Sequence, residues 1–415
     1  MAYTSHHCRK GTAYVAVLGA SLIVTVIGLS ALTAVRVERR SAQTEHDFTR
    51  ARLYAQAAID LGLLWMTQDS DWRTNRTNGD WVLDAPFDRG TLSIAAADPT
   101  DGDLANDEKD PVTLTGTGIV GDARYMLEAT IEPTPGPLEC LQYALHAADE
   151  IEIHGGKTLQ IGTGTVSTNG NLRNDGMIYG NASAASRSGD GLISGSIDVP
   201  APAKRFPDPD VFDAYIRRAT PAPFTGNIER QVWGPGFTPS GATNTNGVYV
   251  IDTAGHDLEI KWTRINGTLI VRCPGKKVIL RETLLLHTYC DTYPALIVDG
   301  NIEMDFNGSG YGLSEASVGV NFNPPSASYR GYADYDRFDW YPSQINGLVH
   351  ATGEIKMKKT AKVCGGVISE TNVHIEGNIV IEHSPELYEN PPVDYLDPVA
   401  NLSIVPGSWQ QVTLP

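Results

Sequence analysis

Hydrophobic positions run without a charge from Thr12 to Val35 and are fenced by charge on both sides, Arg9 and Lys10 before, Arg36, Glu38, Arg39 and Arg40 after. A helix rises about 1.5 Å per residue, so roughly 20 apolar residues cross the ~30 Å hydrocarbon core. The run is long enough to span a bilayer with some tilt, and it outlasts the apolar stretch of a secretory signal peptide. From Ser41 to Met66 the pattern narrows to one face. Phe48, Ala51, Ala55, Ala58, Ile59, Leu61, Leu63, Leu64 and Trp65 supply it, with Arg50, Arg52 and Asp60 between them. No Pro separates the two stretches, and Gly62 weakens only the last turn. Residues 12–66 therefore predict one helix, half in lipid and half outside.

Beyond it the pattern shortens. Thr91–Ala95, Val112–Gly116 and Ala123–Ile131 alternate or cluster apolar residues like strands between polar, Gly-containing turns. Together with the preceding helix, residues 67–133 predict a helix laid on a small antiparallel meander. Pro133-Thr-Pro-Gly-Pro137 predicts a stop and a linker over 134–139.

From Cys140 a repeat emerges. Leu145-His146-Ala147-Ala148-Asp149-Glu150-Ile151-Glu152-Ile153 matches Val349-His350-Ala351-Thr352-Gly353-Glu354-Ile355-Lys356-Met357 in residue type, with a shorter relative at Ile297–Met304. Short strands joined by Gly, Asn or Asp and recurring in this way predict a parallel β-helix over 140–395. A β-sandwich is the alternative on strand length. A short helix interrupts the pattern at 208–218, with Asp208 as cap, Pro209 in the first turn, and Val211, Phe212, Tyr215 and Ile216 apolar. Asn390-Pro-Pro392 and Pro398 end the repeat, so residues 396–415 predict a tail that caps the solenoid and buries Trp409. The fold class expected is α+β followed by all-β.

Composition sharpens this picture in three ways. Forty-one Gly residues, about one in ten, exceed the average of about 7% and fit a turn-rich, strand-rich body. Residues 1–40 hold five of the 32 Lys and Arg but one of the 49 Asp and Glu, so the body is more acidic than the net −17 of the whole. Such a body repels nucleic acid, which excludes a basic DNA groove. Positive residues flank both ends of the apolar run, so their count does not set its orientation.

A basic pair, then Gly11, then at once an apolar helix that continues beyond the membrane: this layout resembles the amino-terminal helix of type IV pilins and pseudopilins. The large minor pilins and the K-type pseudopilin are the members it resembles most. In that family the leader is cut after the Gly, here between Gly11 and Thr12, and the apolar helix packs into a filament core. Major pilins carry a Glu five residues after the cut. Ala16 stands there in this chain, a departure that the K-type pseudopilins share. A plain signal anchor, or a cut near Ala31–Ala34, is the alternative. The resemblance implies a leader peptidase, other pilin or pseudopilin subunits and the lipid bilayer as partners. It also implies a single pass through the inner membrane, with a periplasmic or cell-surface body.

The loop Asp98–Asp110 gathers hard oxygen donors around Gly102, and Asp98, Asp101, Asp103 and Asp107 are the candidate Ca²⁺ ligands. Pseudopilins of the K and major types bind calcium, so the resemblance implies Ca²⁺ here too. A solvated acidic loop is the alternative. The stretch Phe322–Ser343 interleaves aromatics and carboxylates, and Tyr332, Asp334, Asp336 and Trp340 are candidate contacts for an extracellular glycan, by ring stacking and hydroxyl hydrogen bonds. Its alternative is a loop anchored by its own rings.

No nucleophile elbow, zinc-type His-Glu pair, phosphate loop or dinucleotide fingerprint is present, so no catalytic residue is assigned and no organic cofactor is expected. A cut after Gly11 removes Cys8 and leaves four cysteines. Cys273 and Cys290 lie about one coil apart, a spacing open to a disulfide or to two buried thiols.

The expected function is structural: a minor pilin or pseudopilin-like component of a type IV pilus or type II secretion filament, carrying a bulky β-helix at its tip. A membrane-tethered β-helix that binds or cleaves glycans is the second expectation, and a bactofilin-like scaffold the third.

Overall fold

The structure, a computed structural model, describes residues 10–69 and 71–412. The first nine residues of the expected leader lie outside the described residues, while the backbone of Gly11 and Thr12 is helical.

Helix α1 runs as one 59-residue helix over Lys10–Gln68. In its first half large apolar side chains face outward all round, among them Tyr14, Leu18, Leu22, Ile23, Val26, Ile27, Leu29 and Leu32. By length and composition this half can cross a membrane. Further along, Ala51, Tyr54, Ala55, Ala58, Ile59 and Met66 are buried at helical spacing, the stripe that a helix packed on one side must have.

That stripe lies on a six-stranded sheet whose first four strands run antiparallel in chain order, β1 (Gly79–Phe87), β2 (Gly90–Ala97), β3 (Val112–Val120) and β4 (Ala123–Pro137), with two strands of the carboxyl tail pairing β4. Leu92, Ile94, Leu114, Ala129 and Ile131 meet the helix, and Gly116 and Gly118 let its backbone come close. This is the helix on a meander expected from the pattern, with β1 added. Residues 1–134 and 401–415 form one compact unit.

Two expectations change here. The residues assigned to a linker are partly strand, because β4 continues to Pro137, past the end of its pairing with β3 at Ile131, where a proline removes no bond of that ladder. The carboxyl tail does not cap the distal unit. It joins the sheet of the first one, pairing Gln410 with Glu128 and Gln411 with Leu127, and Val405 N–H donates to Thr130 O at 2.9 Å. Trp409 keeps 37% of its surface exposed, against the expected burial.

Residues 135–400 form the second unit. It is built on one 18-stranded sheet, parallel in its registers, that wraps round a common apolar core. The repeats seen in the sequence stack directly: Ile297 beside His350, His350 beside Ile368, Ile368 beside His146. Parallel pairing is the opposite of what a β-sandwich uses. Three walls follow from the registers. The first aligns Leu269, Leu296, Val349, Val367, Leu145 and Val166. The second aligns Ile260, Leu280, Met304, Met357, Ile375 and Ile153. The third aligns Ile265, Leu286, Ile345, Val363 and Ile381. All of these are buried in one cluster.

Stacking order is not chain order. Strands Leu145–Ala147 and Glu150–Ile153 dock on Lys362–Ser369 and Val373–Ile375, so the chain enters the stack in its middle. It runs to one end at Ile197–Asp198, and strands begin again at the far end with Thr220–Pro221 and fill the stack back to the seam. Between these two parts comes the short helix Asp210–Arg218, within the expected 208–218. Its Val211, Phe212 and Tyr215 cover the outward residues Val250, Ile270, Ile297 and Ile368 of the first wall. Cys273 lies buried inside the core, Cys290 is partly exposed on a turn, and both are free thiols. Of the two readings left open for this pair, the structure shows two thiols, and only Cys273 is buried.

Candidate functional site

The acidic loop brings three carboxylates together as a possible ion site. Asp98, Asp101 and Asp110 each place a carboxylate oxygen within 4.8 Å of the others. Asp98 sits at the end of β2 and is 5% exposed, and its Oδ2 is buried with no hydrogen-bond partner among the described residues. Oδ1 of the same carboxylate accepts Thr100 N–H at 2.6 Å. Loss of solvent, then the charges of Asp98, Asp107 and Asp101, push the Asp110 carboxyl above its ordinary range. Arg73 offsets part of this charge while its guanidinium donates to the backbone oxygens of Leu104 and Asp110.

The set differs from the one read in the sequence. Asp103 turns its carboxylate to Ala105 N–H at 3.0 Å and Asp107 to Lys109 N–H at 2.8 Å, so both shape the loop. Asp101 also accepts a loop N–H, that of Asp103 at 2.9 Å. Asp110, not among the ligands read in the sequence, joins Asp98 and Asp101 in the cluster. It was legible as one more acid in the run, but only the return of the chain into β3 shows that it faces Asp98.

The aromatic segment has a buried frame and an exposed rim. Glu315, fully buried, accepts the backbone N–H of Phe322 and of Asp339, the latter at 3.1 Å, and the Tyr341 hydroxyl at 3.3 Å. Arg264, also fully buried, donates to the carbonyls of Ala327 and Ser328. Desolvation lowers the Arg264 guanidinium to about 10. Of the expected glycan contacts, Asp334 is engaged by Asn321 and Asn323, and Asp336 accepts Phe338 N–H at 3.0 Å. Their oxygens hold the loop in shape. Tyr332 at 79%, Tyr335 at 89%, Phe338 at 83% and Trp340 at 62% stand out into solvent. Within the stretch read from the sequence, the carboxylates are engaged inside the loop and the rings are free.

The two repeat histidines are structural. His350 Nδ1 meets Tyr395 OH at 2.9 Å and Nε2 meets Glu370 Oε1 at 3.0 Å. His146 lies between the rings of Tyr143 and Phe206.

No family model matches the chain, and no curated protein matches it. Among solved structures it is similar to the competence-associated pilin ComZ from Thermus thermophilus, at 13% identity and a TM-score of 0.33, over 88% of this chain and 97% of that one. It is similar also to an ice binding protein from an Antarctic Biological Consortium, at 13% identity and a TM-score of 0.26, over 59% of this chain and 90% of that one. An ice-binding protein from Antarctomyces psychrotrophicus matches at 11% identity and a TM-score of 0.23, over 60% of this chain and 100% of that one. Scores this low leave function to be argued from the residues.

Proposed function

We propose that the chain is a pilin-like or pseudopilin-like subunit of a type IV pilus or type II secretion filament, anchored in the inner membrane by a single pass with its body on the periplasmic or outer side. One observation carries this reading: α1 is a single helix whose first half presents apolar side chains all round and whose second half is packed on an antiparallel sheet. An ordinary anchor needs no rigid continuation into a domain. A subunit that packs among equivalent helices does, because each helix must hold its own domain at a fixed height. The parallel sheet of the second unit reads further as a three-sided β-helix, a module too bulky to repeat along a tight filament and suited to its tip.

In this reading the chain performs no catalysis. Asp98, Asp101 and Asp110 would hold one Ca²⁺, a hard cation that takes six to eight oxygens, and the buried unpaired Asp98 oxygen fits that role. The ion would neutralise the loop between β2 and β3. Processing tests the whole proposal. Protein recovered from membranes of an expressing cell should begin at Thr12 by intact mass, and protease added outside the inner membrane should digest the body. Retention of Met1, or a cut near Ala34, removes the pilin reading.

The exposed rings favour a second role for the same subunit, glycan recognition through Tyr332, Tyr335, Phe338 and Trp340. A glycan array probed with wild type and Trp340→Ala decides it.

A further inference from the structure

The outward residues of the second wall form a charged ladder, and at the seam this ladder changes chemistry. His374 stands directly beside Glu152 in the parallel register, and His154 follows two positions along the same strand direction as Glu152. His374 Nδ1 lies 2.9 Å from Glu152 Oε2, and His154 Nε2 lies 3.4 Å from the same oxygen. The three ligand atoms are within 4.8 Å of one another. The side chains are 23%, 18% and 41% exposed for His374, Glu152 and His154, so an ion can reach them from solvent.

We propose that Glu152, His154 and His374 form a binding site for a borderline divalent transition metal such as Zn²⁺, which would clip the first strands of the second unit to its last. Around a tetrahedral Zn²⁺ with bonds of about 2.0–2.2 Å, neighbouring ligand atoms stand roughly 3.3–3.5 Å apart. The 3.4 Å separation falls in that range, the 2.9 Å separation lies below it and must open as the ion enters, and the two histidine nitrogens are within 4.8 Å of each other. Two imidazoles and one carboxylate are a donor set that zinc uses, with a fourth position left for water.

The residues around the three also suit the role. The second carboxylate oxygen of Glu152 is held by Arg173 at 2.9 Å, which leaves Oε2 for the ion. His374 Nε2 lies 3.6 Å from Glu354 Oε1. When Nδ1 gives its lone pair to the metal, the ring proton belongs on Nε2, and Glu354 is placed to accept it. Carboxylates behind ligating histidines fix the tautomer and ring orientation in this way. Lys356 at 3.0 Å balances the charge of Glu354.

The position gives the clip a purpose. Glu152 and His374 are 222 residues apart in sequence, and their strands meet where the chain entered the stack. Nothing covalent closes that seam among the described residues. A metal bridging it ties the two parts of the stack together, and cross-links that close long loops restrain the unfolded chain most.

The test uses the full chain in detergent, freed of metal and titrated with Zn²⁺ by calorimetry and with Co²⁺ by its visible absorption. Wild type should bind one equivalent more than the His154→Ala/His374→Ala double variant, which also controls for the amino-terminal His6, His7 and Cys8. The thermal midpoint should rise with Zn²⁺ in wild type only. Glu354→Gln, which leaves all three ligands, should weaken binding about 10- to 100-fold. Equal stoichiometry in wild type and double variant overturns the site, as does a midpoint indifferent to Zn²⁺. If the double variant does not fold, His154→Asn, at the most exposed ligand, carries the comparison, and unchanged affinity there likewise rejects the proposal.

Discussion

Gly116 of β3 backs onto Ala55 of α1 so closely that a Cβ built on it would lie 2.1 Å from the Ala55 carbonyl oxygen. Two residues on, Gly118 stands in the same relation to Ala51, again at 2.1 Å. The rod and the sheet are thus joined backbone to backbone, with alanines on one side and glycines on the other.

Gly116→Ala and Gly118→Ala should each destabilise the first unit by about 1–3 kcal/mol, the usual cost of overpacking a tight contact. Chemical unfolding followed by Trp72 and Trp81 fluorescence would read this. Gly236→Ala, in the second unit, where an added Cβ meets nothing within 4 Å, is the control for a Gly→Ala change without a close approach and should be near neutral. Equal effects at all three positions would show that the close approach has no energetic weight.

Calcium removal separates the acidic residues. A saturable ion adds RT ln(1 + [L]/Kd), about 2.7 kcal/mol at a hundred times Kd. The melting midpoint should fall with chelator in wild type and in Asp107→Ala, whose carboxylate only caps Lys109 N–H. Asp98→Ala and Asp110→Ala should lose the response. A curve unmoved by chelator sinks the ion site. Loss of the response in Asp98→Ala and Asp107→Ala but not in Asp110→Ala would restore the ligand set read from the sequence.

What could be read from the sequence was local. The helix over 12–66 was legible because hydrophobic periodicity needs only neighbours, and the repeats at Leu145, Ile297 and Val349 because stacked turns share their residue types. The seam was not. Pairing Ile151 with Val373 leaves no mark on either segment, since any turn of a parallel stack presents the same Ile-rich edge to any other. The tail failed for a related reason: Gln410 and Gln411 carry no apolar signal, yet β4 offers them a free edge. The prolines at 133 and 135 read as a stop because their missing N–H groups matter only on the paired side of a strand. At the sites, residue type found the acidic and aromatic loops, but which carboxylates face inward depends on backbone donors that a sequence does not locate.

Two buried histidines give the second unit a pH dependence with a definite sign. Burial, then the charge of Lys204, lowers His146 to about 3, and burial, then Arg264 and Arg330, lowers His287 to about 3. In the unfolded chain both titrate near 6.5. Between those values the unfolded state binds protons that the folded state refuses, so stability is full above about pH 6.5 and is lost as pH falls toward 3. At pH 5 the loss is about 2 kcal/mol for each histidine. Urea midpoints measured from pH 7.5 to 4.5 should slope accordingly, and His287→Asn should flatten the slope. An unchanged slope in the variant would mean that the acid sensitivity lies elsewhere, in carboxylates such as Glu303 that their Lys partners hold below the ordinary range.

The anchor half of α1 can be asked whether it is only an anchor. Ile23 and Val26 lie in the middle of the span, both exposed. An Asp at the centre of a membrane helix costs roughly 2.5–3.5 kcal/mol, so Val26→Asp should reduce both membrane retention and recovery in filaments. That result alone fits any single-pass protein. Val26→Trp separates the readings, because the ring keeps the segment apolar yet fills the space that a neighbouring helix would need. Membrane extraction should then match wild type while the share of protein sedimenting with filaments falls. If Val26→Trp and the equivalent change at Ile23, Leu22 and Val24 all leave that share unchanged, no face of the helix packs against other subunits, and α1 is a tether.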